Sequence, residues 1–270
     1  MEPQRGDVYS FALNNPIVMI DPNGLAAKHT VTTYDGGTNY DYEIKSTVYV
    51  YFDRSTDLHD WLNPGGKWDP ERAKQVEKLL EEDFAKRVKG TTAHRWGYFS
   101  VDAKFVVTKS KPNLTSAQKK ESTLLRFRRR TAAEKKAGTW GECGPGAGQE
   151  CWFGEDPGGG AKNANIWVDA SGNLRQTGKG HIHEVLHGFG LTHAVARNKK
   201  GILTEDGVPD IMGYNKNSVD TLTPAYQTEF VRRVLKQQGY EDNTFYGTDT
   251  WGVGDITSPA IQAAYKAANP

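Results

Sequence analysis

Eleven consecutive residues hold the densest chemistry in the chain: His183-Glu184-Val185-Leu186-His187-Gly188-Phe189-Gly190-Leu191-Thr192-His193. On an α-helix, residues four apart share a face, so His183 and His187 can aim both imidazoles at one ion. Glu184 stands one position on, beside the ligands but out of line with them, where a carboxylate can take a proton from a water at that ion. Gly190 can adopt φ > 0, end the helix and turn the chain so that His193 returns as a third ligand. Three histidines with a fourth position open are the donor set of a catalytic Zn²⁺ site, whereas structural zinc sites are usually closed by a fourth protein ligand. The chain has seven histidines. The nearest candidate for a closing ligand is His181, whose place two before His183 turns it off the ligand face.

These residues need a scaffold, and the sequence supplies one. Ile182, Val185, Leu186 and Phe189 give the metal-binding segment an apolar face. Upstream, residues 43–52 are rich in Val, Tyr and Thr and read as a strand. Asp69-Pro70 starts a helix, as N-cap then first helical residue. Val76, Leu79, Leu80, Phe84 and Val88 recur at helical spacing, and Gly90 closes it. A second strand follows at 101–108, so the chain opens β-α-β. Residues 115–137 read as a helix with a strong positive bias from Lys119, Lys120, Arg126, Arg128, Arg129, Arg130, Lys135 and Lys136. Residues 138–162 read as a long Gly-rich loop anchored by Trp140, Trp152 and Phe153, and residues 163–169 as a strand. Downstream of His193, Val208-Pro209-Asp210-Ile211-Met212-Gly213-Tyr214-Asn215 reads as a turn. Thr223-Pro224 then starts a helix whose apolar stripe is Tyr226, Phe230, Val231, Val234 and Leu235, closed by Gly239.

Composition narrows the partners. The chain has 270 residues, long enough for one large domain. Lys and Arg number 34 against 33 Asp and Glu, a formal net charge of +1. Overall charge therefore suggests neither nucleic acid nor a membrane surface as partner. No apolar run reaches 18 residues, so no membrane span is expected. The first residues lack the charged and apolar regions of a signal peptide, so export would require another apparatus. Cys143 and Cys151 stand eight positions apart and either pair or remain free thiols; sequence leaves both open.

The eleven-residue segment resembles the zinc signature of the metzincin metallopeptidases at every fixed position. That resemblance implies an α+β (α/β) fold: a mixed, twisted sheet, an active-site helix, a Met-turn and a C-terminal helix. It implies Zn²⁺ on His183, His187 and His193, Glu184 as catalytic acid–base, and Met212 as the apolar floor of the Met-turn. Tyr214, two positions later, matches the tyrosine that astacin-like and serralysin-like members place near the metal to stabilise the oxyanion. It also implies an antiparallel edge strand that binds extended substrate, a role assigned to residues 163–169.

A second resemblance covers residues 7–25. Tyr9, Phe11, Asn14, Asn15, Pro16, Asp21, Pro22, Gly24 and Leu25 are similar to the segment that ends the core of rearrangement-hotspot (RHS) and YD-repeat proteins. There the segment joins a β-shell to a variable C-terminal toxin, and the shell often cleaves itself after the Leu. The resemblance implies a junction at residues 1–25, a scissile bond between Leu25 and Ala26, and a toxin domain at 26–270. It further implies the RHS shell and a cognate immunity protein as partners, with synthesis in a bacterial cytoplasm and delivery into a target cell by a secretion apparatus.

Together the two resemblances imply a zinc endopeptidase toxin acting on a target-cell protein. Three alternatives compete: a zinc amidase or endopeptidase acting on cell-wall peptides, a non-proteolytic toxin binding anionic partners through residues 119–136, and an inert zinc-binding module.

Overall fold

A single long strand organises the sheet. In the computed structural model, which describes residues 17–19, 27–34, 39–143, 150–156, 165–197, 203–204, 210–213, 220–237 and 251–253, the first three strands are β1 (Ile17–Met19), β2 (Lys28–Tyr34) and β3 (Asn39–Phe52). Along β3, Tyr42, Ile44, Ser46, Val48, Val50 and Phe52 are buried at every second position, which is the two-residue period of a strand with one face on a core. The first half of β3 pairs antiparallel with β2, from Lys28 opposite Lys45 to Tyr34 opposite Asn39. β1, from the lead-in segment, pairs antiparallel with β2 in turn.

Two helices follow, α1 (Asp57–Leu62) and α2 (Pro70–Val88). α2 begins as expected: the Asp69 carboxylate accepts from the Glu71 and Arg72 N–H groups, and Pro70 is the first helical residue. Ala73, Val76, Leu80, Phe84 and Val88 bury its apolar stripe, each large side chain contributing about 1.5–3 kcal/mol. The helix ends with Lys89 in the left-handed region, followed by Gly90. Strands β4 (Thr91–His94) and β5 (Gly97–Val107) come next. β5 runs parallel to β3 along most of its length and carries β4 antiparallel on its far side, which completes the expected β-α-β unit.

Two expectations need correction. Residues 115–137 form no continuous helix. They form α3 (Ser116–Lys120), strand β6 (Ser122–Arg129) and α4 (Ala132–Ala137). β6 is interior to the sheet, parallel to the second half of β3 on one side and to a further strand on the other. The charges that favoured an exposed helix alternate with Leu125 and Phe127 and are compensated by acids on other segments. Arg126 donates to both oxygens of Asp53 at 3.0 and 2.7 Å, Arg128 to both of Glu134 at 2.9 and 2.6 Å, and Arg130 to both of Asp156 at 3.1 and 2.5 Å. The second correction falls in the Gly-rich stretch. It contains β7 (Gly141–Glu142) and β8 (Glu150–Glu155), the partner of β6. β7 is antiparallel to β8 and closes that side of the sheet. Cys143 and Cys151 form a disulfide between these two segments.

The result is a mixed, twisted sheet of eight strands with helices against its buried face. Phe84 of α2 meets Phe105 of β5 at 5.7 Å and Phe189, just past the helix Gly180–Gly188, at 6.1 Å between ring centroids, so both helices share one core. None of the described helices is long and apolar enough to cross a membrane.

Candidate metal centre and cleft

Helix α5 (Gly180–Gly188) carries the first two histidines. Ile182, Val185 and Leu186 are fully buried and fix its rotation. Its end is a Schellman motif. The Leu191 N–H donates to the Leu186 carbonyl at 3.0 Å and the Gly190 N–H to the His187 carbonyl at 2.8 Å, with Gly190 at φ +86°. The anticipated glycine turn is therefore present, and it brings His193 back to the helix.

The three imidazoles converge. Nε2 of His183 lies 3.0 Å from Nε2 of His187 and 3.2 Å from that of His193, and His187 and His193 are 3.0 Å apart. Zn–N bonds of 2.0–2.1 Å in a tetrahedron require N···N spacings of roughly 3.3 Å, close to those seen. His183 Nδ1 bonds the Ile211 carbonyl at 2.8 Å and His187 Nδ1 bonds the Leu191 carbonyl at 2.7 Å. Each Nδ1–H donates, so each Nε2 presents a lone pair to the common centre. Lone pairs brought this close repel one another unless a cation lies between them. Burial holds the His183 imidazole well below its usual value, at about 4, and holds His187 well below it too, with the neighbouring histidines adding to both. Three convergent imidazoles fit a divalent metal ion, and among the described residues they form the candidate metal-binding group.

His181 does not join them. It is fully buried, with Nε2 3.3 Å from Oδ2 of Asp83 on α2. Asp83 in turn pairs with Arg87 at 2.8 Å. Arg87 reaches the Gly178 carbonyl at 3.3 Å, and its own carbonyl accepts from the Leu222 N–H at 2.9 Å. This buried network joins α2 to segments on either side of the centre.

Glu184 is buried beside the ligands, and burial, reinforced by the charge of Glu142, pushes its carboxyl up to about 8. Met212 is fully buried in the turn Asp210–Gly213, closed by the Gly213 N–H on the Asp210 carbonyl at 2.9 Å. The Asp210 carboxylate accepts from Met212 N–H at 2.8 Å and Thr223 N–H at 2.7 Å. The same turn supplies the carbonyl that orients His183, and the Met212 carbonyl accepts from Ala194 N–H at 2.9 Å. The last helix, α6 (Pro224–Gln237), buries Tyr226, Phe230 and Val231. The Tyr226 hydroxyl donates to the Thr192 carbonyl at 2.6 Å, bracing the residue before His193. Tyr214, Leu25 and Ala26 lie outside the described residues, as does Gly239.

The ligands open into a cleft of about 550 Å³ lined by Trp140, Gly141, Glu142, Phe153, Lys179 and Ile211, among others. Its strand is β7. This corrects the assignment of the edge to residues 163–169. There β9 (Ile166–Val168) pairs with β10 (Leu174–Gln176) in a separate two-stranded sheet, and neither strand lines the cleft. One signal for β7 was present in the sequence: a pair of cysteines flanking a Gly-rich turn, with Trp140 and Trp152 on the arms, is the pattern of a disulfide-bridged hairpin. No family model, curated protein or solved structure matches the chain.

Proposed function

We propose that the chain is a zinc-dependent endopeptidase of metzincin type, acting as the toxin domain of an RHS-type effector. The convergence of three imidazole Nε2 atoms beside a buried carboxylate carries the enzymatic part of this reading. The residue pattern at 7–25 carries the delivery part. His183, His187 and His193 would hold Zn²⁺. That ion supplies Lewis acidity to the scissile carbonyl and lowers the pKa of a water toward ~7.

The protein's own groups do the rest. An extended substrate lies along β7 and pairs with its outer edge, since β8 occupies only the inner one. Glu184 accepts the proton of the attacking water as the oxygen–carbon bond forms. It then gives that proton to the amine nitrogen as the carbon–nitrogen bond breaks, help typically worth about 10²–10⁴-fold. Tyr214 is assigned the oxyanion by its place two residues after Met212.

The bidentate pairing of Arg126, Arg128 and Arg130 leaves the segment 119–136 less free charge for an anionic partner than its composition implied, which supports the hydrolase reading over a binding toxin. The test is incubation of the zinc-loaded protein with unfolded protein and, separately, with purified peptidoglycan, with and without chelator. New protein amino termini that chelator abolishes are expected. Release of cell-wall peptides alone would move the substrate to the wall, and no product from either would overturn the reading.

A further inference from the structure

We infer that Gly141 is a positioning residue for Glu184: strand β7 runs so close over helix α5 that only a residue without a side chain leaves the Glu184 carboxylate where it stands. A Cβ built on Gly141 would lie 2.7 Å from both Cγ and Cδ of Glu184 and would collide with Oε1. No ordinary carbon–carbon contact is that short, the optimum being about 3.5–4.0 Å. Among the described residues no hydrogen bond orients the Glu184 carboxylate. Its place is set by what it packs against, and Gly141 is the backbone it packs against.

Neither backbone at this contact can retreat cheaply. β7 is held to β8 by the pairings of Gly141 with Phe153 and Glu142 with Trp152. The Trp140 carbonyl accepts from Gly154 N–H at 2.6 Å, and the Cys143–Cys151 disulfide ties the other end. Arg130 stacks on the Trp140 ring at 3.4 Å and donates to the Thr139 carbonyl at 3.3 Å. On the opposite side, Val185 and Leu186 are fully buried and hold α5 in its rotation. An added methyl group therefore displaces the one flexible party, the Glu184 side chain.

The inference rests on Glu184 being the proton-transfer group, and two experiments separate the claims. In the zinc-loaded full chain, Gly141→Ala should lower kcat by roughly 10²-fold, the scale set by a displacement of about 1 Å, with one-to-one zinc binding kept. In the metal-free protein, Gly141→Ala should lower the melting temperature by several degrees. The same substitution in a Glu184→Ala background should cost nothing, because the colliding atoms are gone. Equal losses in both backgrounds, or none in either, overturn the positioning role whatever the activity. Coupled melts together with a fully active Glu184→Gln protein overturn the proton-transfer reading instead and leave the contact standing.

Discussion

Gly190→Ala tests whether the turn that ends helix α5 shapes the proposed zinc site. Gly190 sits at φ +86°, where an L-residue costs about 1–2 kcal/mol. The turn closes on the His187 carbonyl, and the Leu191 carbonyl that follows it orients the His187 ring. The penalty therefore has two places to appear. If the backbone holds, the metal-free protein loses the full amount, and its melting temperature falls by roughly 2–8 °C for a domain of this size. If the turn relaxes, His193 moves, and the same energy appears as a loss of about 5–30-fold in zinc affinity. Melting curves of metal-free and zinc-loaded protein, with zinc titration against a competing chelator, measure both. Gly172 is the control. It has φ +80° in an exposed turn with open space around a built Cβ, so Gly172→Ala should cost stability and leave zinc affinity unchanged. A Gly190→Ala protein with wild-type stability and wild-type zinc affinity would refute the reasoning, as would equal zinc loss in the Gly172 variant.

Two further outcomes follow from other parts of the molecule. Burial, with the charge of Asp57, pushes the Glu155 carboxyl from its ordinary 4.5 up to about 8. The unfolded chain therefore loses this proton first. The stability held below pH 4.5 is lost as pH rises through about 8, by at most about 5 kcal/mol. Glu155→Gln should flatten denaturation midpoints across that window, and an unchanged slope would assign the dependence elsewhere. Opening the eight-residue span between Cys143 and Cys151 by Cys143→Ser and Cys151→Ser should cost about 2.5 kcal/mol in the chain-entropy account. It should also raise KM more than it lowers kcat, because β7 is tied down at that end. A variant with unchanged KM would detach β7 from substrate binding.

The parts legible in the sequence are those whose causes are local. α2 is announced by its own cap and its own apolar spacing. The three-histidine cluster is legible because two of its members are one helical turn apart and the third follows within a single glycine turn. β6 was hidden because local charge is a poor guide to exposure when the compensating acids, Asp53 and Asp156 among them, stand tens of residues away. Its buried Leu125 and Phe127 alternate with the arginines, but eight residues with so many charges also suit a solvated helix face. β8 was hidden by the glycines around it, although Cys151 and Phe153 already alternate. The contact between Gly141 and Glu184 had no local trace. It exists only because the sheet brings its last strand over α5, and nothing in the spacing of 43 positions between them announces it.

The proton-transfer role proposed for Glu184 at the three-histidine cluster is open to direct test. The most direct measurement compares protein amino termini in cells expressing the active chain with those in cells expressing Glu184→Gln, both purified proteins being assayed for zinc. One zinc per chain is expected in each, with new termini and toxicity from the active chain and neither from Glu184→Gln. A Glu184→Gln protein that generated the same termini, or still killed cells, would contradict that role.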